Sequence, residues 1–165
     1  MAERTLVAGI GNIFLGDDGF GCAVVGRLAR VEVAEGVRVV DYGIRGMHLA
    51  FDLLQGWDQL VLVDALPNCG SPGRLEIIEV RPEHVGVGEL DAHGMGPDAV
   101  LSSLGALGGR LPPTVLVGAQ VSDIGDRIGL SAEAEAAVPA AVDAIQALLR
   151  ELQGSPTHRY RAEVG

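Results

Sequence analysis

Short apolar runs that stop at a glycine or an aspartate recur along this chain, and their spacing leaves few folds open to it. Thr5–Gly9 is the first, Val37–Val40 runs into Asp41, Leu60–Val63 into Asp64, and Thr114–Ala119 comes last. Continuous apolar runs of this length are the pattern of strands covered on both faces. Helical spacing fills the intervals. Phe20, Val24 and Leu28 recur every four residues within Gly19–Ala29, with Asp17 or Asp18 placed to cap the amino end. Met47–Leu54 turns Leu49, Leu53 and Leu54 inward. Pro97 stands at a favoured first helical position, followed by a stripe of Val100, Leu101, Leu104 and Leu107. The last helix starts near Ser131 and buries Val138, Val142, Ile145, Leu149 and Leu152, while Pro139 predicts a kink or a later start. Strands alternating with helices make an α/β fold.

One connection breaks the alternation. Only the turn-rich stretch Leu66–Gly73 separates the third strand from Arg74–Val80. A parallel crossover needs about a dozen residues or more, so the fourth strand runs antiparallel and the five-stranded sheet is mixed.

With 165 residues there is room for one core: a single domain over 1–153, with a mobile tail over 154–165. Twelve basic residues, all arginine, stand against 22 acids for a net charge of −10. Such a chain repels phosphate backbones, which excludes nucleic acid as the expected partner. No run reaches the roughly 18 apolar residues of a membrane span, and the amino terminus lacks the core and cleavage site of a secretory leader. A cytoplasmic protein is expected, and a monomer suits a small acidic domain. Cys22 and Cys69 are too few for a disulfide framework and form no CxxC pair. Cys22, inside a helix, reads as a small buried hydrophobe.

The chemistry is expected from Asp18, Asp41, Asp64 and His93. In an open α/β sheet, ligands bind outside the carboxyl ends of the strands, and neighbouring strands lie only about 4.8 Å apart. With the first strand between the second and third, as in flavodoxin-like sheets, the three aspartates line one edge and the switch point falls between Asp18 and Asp64. Taken singly, Asp18 reads as well as a helix cap, Asp64 as a turn residue and His93 as an exposed loop residue. Taken together, crowded carboxylates repel unless a cation or shared proton relieves them. Carboxylates with one imidazole suit zinc, nickel or manganese better than calcium, and a three-ligand site leaves room for water or substrate. Asp41 can then orient water or move protons.

Three rival readings remain. Gly9-x-Gly11 after the first strand suggests a dinucleotide-binding module, but the third glycine of that motif would fall on Phe14. Asp17, Asp18 and Asp64 suggest a receiver-like phosphoacceptor, but the chain has no lysine to complete it. Cys69 with His93 would make a cysteine hydrolase, yet nothing nearby lowers the thiol pKa.

The stretch Gly9-Ile10-Gly11-Asn12 with Gly16-Asp17-Asp18-Gly19-Phe20-Gly21 resembles the opening motif of the maturation endopeptidases of nickel-iron hydrogenases. So do VVDYGIRGM at 39–47, LVLVDA at 60–65, the His93 loop and VGAQVSDIGDRIGLS at 117–131, in order over residues 5–150. The resemblance implies a three-layer α/β/α sandwich on a mostly parallel, five-stranded mixed sheet with the fourth strand antiparallel. It implies removal of a carboxy-terminal extension from a hydrogenase large-subunit precursor after nickel insertion. By motif the metal-facing group falls on Asp18, Asp64 and His93, with Asp41, Asp18 and Asp64 as catalytic candidates. The metal implied is the nickel carried by the substrate, with zinc or cadmium as possible substitutes in vitro and no nucleotide. One motif departs: the family's Asp-Gly-Gly-Thr-x-Gly is here Asp41-Tyr42-Gly43-Ile44-Arg45-Gly46, without the threonine hydroxyl. Arg45 either helps to select substrate or is a solvated surface arginine.

Overall fold

Five strands form one sheet in the order β2-β1-β3-β5-β4, in a computed structural model that describes residues 3–81 and 97–154. The elements are β1 (Thr5–Ile10), a single 3-10 turn (Gly16–Gly19), α1 (Phe20–Leu28), β2 (Val37–Gly43), α2 (Gly46–Leu53) and β3 (Gln59–Leu66). They continue with β4 (Leu75–Val80), α3 (Pro97–Ala106), β5 (Thr114–Gln120) and α4 (Ala132–Gly154). β1, β2, β3 and β5 are mutually parallel, and β4 pairs antiparallel with β5. The short link after β3 thus does what its length requires. β1 lies between β2 and β3 as in flavodoxin-like sheets, but β5 takes the place next to β3 and leaves β4 at the edge. β5, with a strand on each side, is buried throughout its length, whereas edge strand β4 is only partly buried.

Side-chain alternation along the strands builds two cores. Val7, Val61, Val63, Val115 and Val117 face α1 and α4, whereas Leu6, Ala8, Leu60, Leu62 and Leu116 face α2 and α3. The result is a helix layer on each side of the sheet. Gly21 sets how closely α1 can lie on it, since a methyl group there would overlap the carbonyl oxygens of Val63 and Ile10.

Several local expectations change. β2 and β3 do not stop at Asp41 and Asp64 but continue to Gly43 and Leu66, because each still has a hydrogen-bonded neighbour. Leu54 is 44% exposed rather than turned inward; it follows the last residue of α2, where the apolar stripe has already been filled by Leu49 and Leu53. Pro139 does not delay α4, which is helical from Ala132. Pro139 and Glu135, four residues before it, are both on the exposed face, so the carbonyl that loses its donor is not sealed in the core. The helix also includes Gly154, and the remainder of the expected tail lies outside the described residues.

Candidate active site

The β1–α1 connection is wound around Gly11. Its φ of 140° and the position of the Asp18 carbonyl oxygen, which any Cβ at residue 11 would overlap, allow only glycine. The Gly11 amide donates to the carbonyl of Gly43 at 3.0 Å, tying the end of β1 to the end of β2. Asn12 then donates its amide to Asp18 Oδ2 at 2.8 Å, and its own side-chain oxygen accepts the amide of Phe14 at 2.9 Å. Asp18, buried in the 3-10 turn, therefore faces back over the sheet end. It does not cap α1: Gly19 holds that position, with no side-chain cap.

Asp64 is the first β3 residue beyond the β1 ladder, which ends at Gly9 opposite Val63. A methyl group placed on Gly11 would stand 3.9 Å from Asp64 Oδ1, and that oxygen accepts the Ala65 amide at 2.7 Å. Asp41 lies opposite Gly9, but Ile10 is opposite Gly43, so Tyr42 is an extra residue in β2. Such a bulge re-aims side chains at a strand end. Here Tyr42 goes into the core and donates its hydroxyl to Asp52 Oδ2 at 2.5 Å, while Asp41 stays exposed with Oδ1 on the Gly43 amide at 3.0 Å. Burial, the bond to Asp52 and the charge of Asp52 raise the Tyr42 pKa, so the phenol remains a donor.

One buried sulfur reports on all three carboxylates. Cys22, on the first turn of α1, is 6% exposed and donates to the Gly11 carbonyl at a sulfur-to-oxygen distance of 3.7 Å. Burial pushes its thiol up to about 12, followed by a hydrogen bond with Asp41 and the charges of Asp41, Asp64 and Asp18. All three carboxylates thus act on this one sulfur. The same environment keeps Cys22 a neutral thiol, unfit as a nucleophile. Cys22 is thus more than the plain hydrophobe its helical position suggests, because α1 carries its sulfur to the acid-bearing strand ends.

Asp17 too departs from its expected capping role. It is fully buried and caps nothing in α1. Its carboxylate accepts from the amides of Ser122 (2.8 Å), Asp123 (3.2 Å) and Ser131 (2.6 Å) and from the Ser131 hydroxyl (2.7 Å). Burial alone would raise its pKa, but these donors outweigh that and hold it below the usual carboxylate value. Ser131 also accepts the Ala134 amide and so caps α4 as expected. Further backbone bonds join Gly16 to Arg127, Asp17 to Asp123 and Arg127 to Phe14, making one unit of the β1–α1 and β5–α4 connections.

Arg45 folds back on its own chain, with Nε on the Tyr42 carbonyl at 3.2 Å and a terminal nitrogen on the Asp41 carbonyl at 2.8 Å. It stiffens the bend after β2. Cys69 is exposed, with its amide on Gln120 Oε1, and His93 lies outside the described residues. Asp18 and Asp64 are thus the described members of the expected metal-facing group. Among the described residues no cluster of three or more His, Cys, Asp or Glu side chains could hold a metal ion. No helix among them is long and apolar enough to cross a membrane.

The exchanged strands β5 and β4 set the fold apart from the all-parallel 2-1-3-4-5 sheet of receivers. The hydrogenase maturating endopeptidase HybD of Escherichia coli superposes with a TM-score of 0.77 at 31% identity, over 90% of this chain and 93% of that one. The HybD maturation protease of Thermococcus kodakarensis superposes with a TM-score of 0.72 at 28% identity, over 88% and 99%. By sequence, the hydrogenase 2 maturation protease of Escherichia coli is 33% identical over 90% of this chain and 92% of its own. The hydrogenase expression/formation protein HupD of Rhizobium leguminosarum is 31% identical over 90% and 75%. A family model described as hydrogenase maturation protease matches residues 22–148. Sequence and fold agree, and the chain belongs to the hydrogenase maturation proteases, a family of peptidases.

Proposed function

We propose that this protein removes the carboxy-terminal extension of a nickel-iron hydrogenase large-subunit precursor once nickel has been inserted. The observation that carries the reading is that Asp18, Asp41 and Asp64 all act on the Cys22 sulfur at the carboxyl edge of a maturation-protease fold, with Asp64 Oδ1 and the Asp18 backbone beside Gly11 and Asp41 Oδ1 on the Gly43 amide. Carboxylate oxygens attract a divalent cation presented by the substrate, and His93 is assigned to the same group on sequence grounds.

In this reading the precursor's nickel meets Asp18 and Asp64, which sets the scissile peptide at the crevice. A water oxygen attacks the peptide carbonyl, a carboxylate takes the water's proton, and the C–N bond breaks as the leaving nitrogen gains a proton. Asp41, exposed and fixed by the Gly43 amide, is the candidate for that proton transfer. The high thiol pKa of Cys22 supports direct attack by water over an acyl-enzyme route.

The test is incubation with nickel-loaded and nickel-free precursor, followed by intact mass measurement of both products. Two fragments whose masses sum to precursor plus one water, formed only from the loaded form, are expected. Equal cleavage of both forms would remove nickel gating, and no cleavage of either would remove the proposal.

A further inference from the structure

We propose that Ile13, Phe14, Ile44, Met47 and Ile128 form a docking rim for the folded body of the precursor large subunit, an inference that rests on the function proposed above. Among the described residues these side chains are exposed by between 48% (Ile13) and 72% (Ile128). Single exposed apolar residues are ordinary; their grouping is what calls for a cause. All five lie just beyond the carboxyl ends of β1, β2 and β5, the edge that carries Asp18, Asp41 and Asp64. Phe51 and Leu54, also exposed, lie further along α2 and just past its end as it leaves that edge, and Val31 and Ile77 lie away from it.

The rim is held in place by hydrogen bonds. The Phe14 amide bonds to Asn12 Oδ1, and the Phe14 carbonyl accepts the Arg127 amide at 3.0 Å. Ile128 follows Arg127, whose carbonyl accepts the Gly16 amide at 2.8 Å. Gly11 to Gly43 links the first loop to the bend that bears Ile44. Apolar groups already fixed in place lose little entropy on binding, as suits an interface.

Continuity with the carboxylates identifies the occupant. A peptide bond that reaches Asp18 and Asp64 belongs to a chain lying across these loops, so the protein on either side of that bond meets the rim. A membrane fits poorly, because the chain carries a charge of −10 and no lysine, Arg45 is turned onto its own backbone, and Arg127 faces Asp123 at 3.5 Å. Buried interface centres are poor in charge and rich in aromatic residues and methionine, in keeping with Phe14 and Met47.

The experiment is steady-state cleavage of nickel-loaded precursor by the native chain, by the double variant Phe14→Ser with Ile128→Ser, and by Ile77→Ser, an equally exposed isoleucine on edge strand β4. The rim predicts a KM raised about tenfold or more in the double variant, with kcat at saturation within about threefold of native and Ile77→Ser unchanged. An unchanged KM in the double variant, or the same rise in Ile77→Ser, overturns it while leaving the proposed function standing. Sedimentation showing a native dimer that the double variant dissolves would assign the rim to a second copy and overturn it as well. If the native chain leaves the precursor uncut, the proposed function and the rim fall together.

Discussion

Asp17 and Ser131, 114 positions apart, are joined twice: the Ser131 amide donates to Asp17 Oδ1 at 2.6 Å and its hydroxyl to Oδ2 at 2.7 Å. The pair locks the turn that carries Asp18 to the loop that starts α4. Asp17→Asn puts an amide NH2 among donors and should cost about 2–4 kcal/mol in urea unfolding. The carboxyl is held below its ordinary 3.8 in the fold, so the unfolded chain binds the proton more readily. Its contribution is therefore complete above that ordinary value and is lost as pH falls through the lower folded value. Unfolding measured between about pH 5 and 2 should show an acid limb that is shallower in Asp17→Asn than in the native chain. Parallel limbs in the two proteins would contradict the assignment.

Gly11→Ala should abolish cleavage and lower stability by roughly 1–3 kcal/mol, because the new methyl would force the Asp18 carbonyl away and strain a positive φ. Gly56→Ala is the comparison. Its φ is +83° but no atom lies within 4 Å of the added carbon, so it should cost about 1 kcal/mol and leave cleavage intact.

Alkylation separates the two cysteines. Iodoacetamide at neutral pH should label the native chain once, at exposed Cys69, and twice after denaturation. Cys22 is shielded by burial and by a thiol pKa of about 12. Rapid labelling of Cys22 in the folded protein would show that the acid-lined pocket around it is open.

Asp18→Asn and Asp64→Asn should each reduce precursor cleavage by roughly 10²–10⁴ with the thermal midpoint little changed, as expected of groups that act on the reaction. Asp41→Asn should fall less, about tenfold to a hundredfold, if it assists proton transfer without meeting the cation. Intact mass assays at fixed precursor concentration measure all three. Full activity in Asp64→Asn would contradict the proposed site.

Most of the element plan was legible because side-chain period is a local property of the backbone. Val100 and Leu104 of α3, and Val138, Val142, Ile145, Leu149 and Leu152 of α4, lie buried where their spacing put them. The direction of β4 followed from the length of chain available to turn it. Asp41 and Asp64 were visible for the same reason, since each stands next to a recognisable apolar run, whereas Asp18 sits in a turn beyond β1.

Contacts between distant segments were not legible. Nothing near Asp17 in the chain announces Ser122 or Ser131, nothing in helix α1 marks Cys22 as the neighbour of three carboxylates, and no residue of β2 declares that Tyr42 will be bulged. Local pattern decided which segments became strands and helices and which faces were apolar. Packing the finished layers decided that β5 would displace β4 and which loops would touch, because those choices depend on hydrogen bonds and burial shared among segments far apart in the chain.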